Sequence, residues 1–147
     1  MRTTRLLATL LTLVGLPALA ARAQQPPEYP LRADSAWARP AAEGAMAVVY
    51  AVLINDSARD RIVTGVSCQG AAMTHLHRTT MEQGMAHMAP VERLDVPAHG
   101  RVELQPGGLH IMLMGLQRDL AAGDAFRCEL MMDDGVVVPF QARVRAQ

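Results

Sequence analysis

Residues 126–145, FRCELMMDDGVVVPFQARVR, decide the fold class of this chain. The turn signal Asp133-Asp134-Gly135 separates two runs of strand-forming residues, 126–132 and 136–145. Two such runs joined by a short glycine-containing turn are typical of a β-hairpin. The chain is therefore predicted to end in two paired strands.

The same alternation of short strands and turn signals extends back to Leu31. Further runs with strand character are separated by glycine, proline, asparagine or aspartate: 36–39, 45–54, 61–68, 74–79, 85–92, 101–105 and 109–116. No segment of ten or more residues keeps the 3.6-residue period of an amphipathic helix. A chain of 147 residues is expected to form one domain. The pattern predicts an all-β fold, either an antiparallel sandwich or a small barrel.

The N-terminus has the layout of a secretory signal. Arg2 and Arg5 precede an apolar run at 6–16, and small residues follow it up to Ala23. We predict a signal peptide over 1–23, cleaved after Ala23, then a Pro-rich extended segment over 24–30 and one domain over 31–147. The apolar run is shorter than the roughly 20 residues of a spanning helix, so we expect a soluble mature protein, with a retained N-terminal anchor as the alternative.

Charge excludes two classes of partner. The whole chain has 14 Arg, no Lys and 14 acidic residues; loss of the signal leaves 11 Arg against the same 14 acids. Nucleic-acid binding and binding to anionic membranes depend on a basic patch, which this composition does not supply. We therefore expect neither partner.

Export also bears on the two cysteines, Cys68 and Cys128. An oxidising compartment favours a disulfide over free thiols, while a metal-ligand role or two unpaired thiols are the alternatives. A bond between them would close a loop of about sixty residues and stabilise the fold by roughly 4 kcal/mol on the chain-entropy model.

Histidine and methionine cluster in one part of the sequence. All five His lie between 75 and 110, and eight of the ten Met lie between 73 and 132. On a strand, His110 and Met112 share one face, as do His75 and His77, so an imidazole and a thioether can hold one ion. Thioethers are soft ligands and imidazole is borderline, which favours Cu(I) over Zn(II), Ca(II) or Mg(II).

Other members of the two residue types have simpler interpretations. A methionine on an apolar strand is usually part of the core, and we expect this of Met46, Met131 and Met132. A single histidine in a turn is usually solvated, which we expect of His99 in Ala98-His99-Gly100.

The spacing of four donors resembles that of a known family. His77, ten residues, Met88, twenty-one residues, then His110-x-Met112 matches the pattern of the periplasmic copper chaperones called PCu(A)C. The string PGGLHIMLMGL at 106–116 is similar to the same family, and the resemblance covers about residues 31–145.

This resemblance implies a cupredoxin-like, immunoglobulin-like antiparallel β-sandwich in the periplasm. It implies that His77, Met88, His110 and Met112 bind one Cu(I) per chain. It also implies a chaperone that delivers copper to a respiratory haem-copper oxidase, either directly to its copper-accepting subunit or through another copper assembly protein. With neutral donors, delivery would proceed by ligand exchange, and we expect a monomer. Copper buffering or sequestration at the same site stays open. The family pattern includes neither cysteine, and it assigns no role to six further donors: Met73, His75, Met81, Met85, His87 and Met114.

Three other classes of protein are weaker alternatives. A blue-copper electron carrier needs two His and a Cys with a weak axial Met, and neither Cys here has a His a few residues downstream. A hydrolase would need a nucleophile with its base, an HExxH motif or a pair of carboxylates near the histidines. These are lacking in the sequence, so we expect that the protein is not an enzyme. An interaction module without metal is the third alternative.

Overall fold

The computed structural model describes residues 29–146, which form ten β-strands and no helix. The strands are β1 Leu31–Ala38, β2 Ala47–Asn55, β3 Arg61–Cys68, β4 Ala71–Glu82, β5 Met85–Pro90, β6 Leu94–Val96, β7 Arg101–Leu104, β8 Leu109–Leu116, β9 Ala125–Met132 and β10 Val137–Val144. Within these residues no helix is long and apolar enough to cross a membrane. The predicted signal peptide and its cleavage site lie outside the described residues.

The strands pair in the order β5-β4-β8-β2-β1-β10-β9-β3-β6, with β7 also on β2. Among the described strands every pairing is antiparallel except that of β1 with β10. The inward side chains of the strands at both ends of this order belong to one buried cluster. This is expected of a sandwich, in which two layers of strands pack face to face. The predicted all-β sandwich is confirmed.

The terminal hairpin is confirmed, with β9 and β10 joined across Asp133-Asp134-Gly135. Two differences from the predicted strands have local causes. Strand β1 begins five residues earlier than predicted, because a register shift between Asp34 and Trp37, with Ser35 at a φ of 52°, interrupts its alternation. Strand β6 has only three residues, too few to give a periodic signal.

Cys68 and Cys128 form a disulfide, which confirms the expected bond. The two residues are directly opposite each other in the β3–β9 pair, and both are buried. The bond therefore fixes the register of two strands in the half of the sheet that does not contain β4, β5 or β8.

The expected packing role of three methionines is right for one of them. Met132 is 5% exposed and lies in the core. Met46 is 65% exposed and Met131 is 40% exposed, so the core interpretation is wrong for both. Met46 precedes the first residue of β2, and Met131 is on the outward face of β9, so neither side chain is enclosed by the sandwich.

Candidate metal centre

The outward face of β8 carries the first two donors. Ile111 and Leu113 are fully buried and anchor this strand in the core. Because side chains alternate along a strand, His110 and Met112 project from the opposite face. His110 is nevertheless only 4% exposed.

Strand β4 pairs with β8 and brings two more imidazoles to the same face. His77 is directly opposite His110, and His75 is directly opposite Met112. The ring centroids of His77 and His110 are 6.0 Å apart, at an interplanar angle of 74°. The rings of His75 and His77 are 6.3 Å apart and nearly parallel. This register thus places three imidazoles and one thioether on the same face of β4 and β8.

The imidazole of His110 is held in one tautomer. Its Nδ1–H donates a hydrogen bond to the carbonyl oxygen of Gly108 at 3.0 Å. A carbonyl can only accept, so the proton of the neutral ring is on Nδ1 and the lone pair is on Nε2. This Nε2 is buried and has no hydrogen-bond partner among the described residues, and the same is true of Nδ1 of His77. Buried ring nitrogens without partners fit a metal ion better than they fit a solvated surface.

The environment of His77 favours its neutral form. Burial lowers the pKa of this imidazole below its ordinary value, and the nearby His110 and His75 rings lower it further. An imidazole must be neutral to bind a metal, so this shift keeps His77 available as a ligand at mildly acidic pH.

Met88 lies on strand β5, which pairs with β4 along the edge opposite to β8. It is opposite Thr79, one pair along from His77, and it is 53% exposed. On an untwisted sheet the Cα atoms of Met88 and Met112 would be two strands and four residues apart, roughly 17 Å. The register therefore brings His77, His110 and Met112 together. Met88 can join them only if the exposed β4–β5 hairpin curls toward β8.

The six donors of unassigned role divide between the two faces of this sheet. Met73 is opposite Met114, and both lie on the face of His75 and His77, as does Met81. Met85 and His87 are paired with Glu82 and Thr80, and they lie on the other face. His99 is exposed in the turn before β7, as expected. No three His, Cys, Asp or Glu side chains within residues 29–146 are placed to hold a metal ion; the donors on this face are imidazoles and thioethers.

Two features of this region were not predicted from the sequence. The first is the carbonyl of Gly108, whose role depends on the turn Pro106-Gly107-Gly108 folding back toward His110. Its one sequence signal is the Pro-Gly-Gly string directly before the strand. The second is Met46, which the register of β2 with β8, extended by one residue, puts opposite Met114.

The protein is therefore a β-sandwich domain that carries histidine and methionine side chains on the outward face of three neighbouring strands, β5, β4 and β8. The model of the LpqE-like family, named for a lipoprotein, matches residues 31–144. The chain belongs to this family, which is related to the PCu(A)C domains, and the resemblance found in the sequence is confirmed.

Individual relatives agree with this assignment. The protein Lxx21020 of Leifsonia xyli subsp. xyli is 32% identical, over 99% of this chain and 89% of its own length. The Cu(I) form of DR1885 from Deinococcus radiodurans is 32% identical, with a TM-score of 0.59 over 87% of this chain and 85% of that chain. A copper-bound PCuAC domain from PmoF2 is 22% identical and shares the fold, with a TM-score of 0.66 over 81% of this chain and 95% of its own.

Proposed function

We propose that this protein is a Cu(I)-binding metallochaperone of the bacterial periplasm that supplies copper to the copper centres of respiratory haem-copper oxidases. The observation that supports it most is the His77–His110 pair, with two buried ring nitrogens that lack hydrogen-bond partners beside the thioether of Met112. The copper-bound relatives support the choice of metal.

The proposed ligands are His77, Met88, His110 and Met112, for one Cu(I) per chain. All four are neutral, so the bound ion keeps its positive charge, and both donor types suit a soft monovalent cation. Thioethers also supply sulfur that an oxidising compartment does not convert to a disulfide. The predicted signal peptide and the Cys68–Cys128 bond support an oxidising, extracytoplasmic location.

Transfer would proceed by ligand exchange. Met88 lies on the edge strand β5, where every side chain is exposed, while His110 is almost fully buried. Thiolates of an acceptor can therefore replace the exposed thioether first and the buried imidazole last. Since thiolates are charged and soft, they hold Cu(I) more strongly than the neutral donors they displace, and transfer is directed toward the acceptor.

Copper affinity should depend on pH through His77. We expect the dissociation constant for Cu(I) to be nearly constant from pH 7.5 to about 6.5, the ordinary histidine pKa. Affinity should then fall at lower pH, because protonation of His77 competes with the metal only below its lowered pKa. Competition titrations with a chromogenic chelator in a pH series measure this, and a decline that begins above pH 6.5 would contradict the prediction.

Handover can be tested with a purified oxidase copper domain. We expect Cu(I)-loaded protein to load the apo domain to near completion. Transfer is measured as copper bound to the re-isolated domain, because a centre that holds only Cu(I) has no visible absorption. The loaded Met88→Leu variant, which lacks the exposed thioether, should transfer at a different rate to the same endpoint. A protein that keeps its copper against every such acceptor would instead be a buffer or a sequestering protein using the same site.

A further inference from the structure

The donor face does not end at the proposed ligands. On the outward face of β4 and β8, three directly opposed pairs lie at every second residue: His77 with His110, His75 with Met112, and Met73 with Met114. We call these three pairs the donor ladder. Successive pairs are about 7 Å apart along the strands, and side chains within a pair have Cβ atoms about 5 Å apart.

The far end of the donor ladder is rich in sulfur. Met73 is 56% exposed, and Met114 is partly buried against the sheet. Met46, 65% exposed, flanks Met114 on its other side, because Ala47 is opposite Leu113 in the β2–β8 pair. Three thioethers from three adjacent chain segments therefore lie in one row, and none of them belongs to the proposed ligand set.

His75 is the nitrogen donor nearest to that row. It is exposed, and it lies one pair from Met73 on the same strand face. The middle pair of the donor ladder can therefore contribute to two sites. Met112 is a neighbour of the His77–His110 pair, and His75 is a neighbour of the thioether row.

We propose that Met73, Met114 and His75, with Met46 at the edge, form a second site for a soft monovalent cation such as Cu(I) or Ag(I). The inference rests on the proposed function only for the choice of ion, since its donors are different residues. Neutral sulfur and nitrogen donors in this number are selective for such ions and not for hard divalent cations.

The second site should bind more weakly than the first. Three of its donors, Met46, Met73 and His75, are solvent-exposed, and no described hydrogen bond orients His75, in contrast to His110 with its bond to Gly108. The outer pairs of the donor ladder are roughly 13 Å apart. Because each site also takes one donor from the middle pair, two bound cations lie closer than this, and their partly screened repulsion weakens the second site further.

Titration with Ag(I), followed through the methionine methyl signals by NMR, separates the two sites. We expect the first equivalent to shift the methyls of Met88 and Met112, and the second to shift those of Met46, Met73 and Met114. The Met73→Leu/Met114→Leu variant should bind one Ag(I) in place of two. Its first affinity should change by less than about threefold, because its sulfur losses lie outside the first ligand set. The matched control is Met85→Leu, an exposed methionine on the other face, which should still bind two.

The outcomes distinguish the two proposals. If the methyls of Met73 and Met114 do not move with excess Ag(I), or if the double variant still binds two ions, the second site is wrong. If those methyls move while Met88 and Met112 never do, the second site stands and the proposed first ligand set fails. Unfolding curves of the variants should match the parent, because leucine retains the volume of these exposed side chains.

Discussion

Replacing His110 with alanine should lower the Cu(I) affinity of the protein by at least about a hundredfold, since loss of a partner that merely orients a ligand already costs 10–100-fold. The structure gives the reason for a large effect. The ring is buried, its tautomer is fixed by Gly108, and its free Nε2 has no partner among the described residues. His77→Ala should have an effect of similar size, because His77 is the directly opposed residue.

Competition with a chromogenic Cu(I) chelator measures both losses. The matched control is His99→Asn, which removes an exposed imidazole from a turn where asparagine tolerates the positive φ of 51°. Its affinity should equal that of the parent. If His110→Ala or His77→Ala retains parental affinity while folded, the proposed ligand set is incorrect.

Removing the disulfide should have the largest effect on stability. In the variant Cys68→Ala/Cys128→Ala, the free energy of unfolding should fall by about 4 kcal/mol, because the unfolded chain regains the entropy of a loop of about sixty residues. Urea unfolding under non-reducing conditions measures the difference. Reduction of the parent with a thiol reagent should cause a loss of similar size, provided the reagent reaches the buried bond.

Copper affinity supplies a second readout for the same variant. The disulfide joins β3 and β9, whereas the donors lie on β4, β5 and β8 in the other half of the sheet. The folded variant should therefore bind Cu(I) with parental affinity. A large loss of affinity in protein that is still folded would mean that the cysteines support the site directly.

Much of this architecture could be predicted, because the residues that determine it are local. The Asp-Asp-Gly turn and its flanking strands specify the terminal hairpin without reference to the rest of the chain. The His110-Ile111-Met112 alternation likewise specifies which side chains share a face.

What the sequence could not supply depends on contacts between distant segments. The bulge at Ser35 interrupts the alternation of side chains in β1, so the first half of this strand gives no periodic signal in the sequence. The exposure of Met46 depends on its lying on the outward face, the face of Val48 and Met114, which an unbroken apolar run does not reveal. The pairing of His75 with Met112 requires the β4–β8 register, which no local pattern contains. The same register also separates Met88 from Met112, a distance that the spacing motif does not show.

The donor ladder has a consequence for how such proteins can change over evolution. Its side chains leave the sheet on the side away from the core, which Ile111 and Leu113 fill from beneath. At its exposed positions, such as Met73 and His75, a single substitution can add or remove a ligand without a cavity, a broken strand or a new loop. Specificity for one soft metal or another can therefore drift through point mutations while the fold and its stability stay the same.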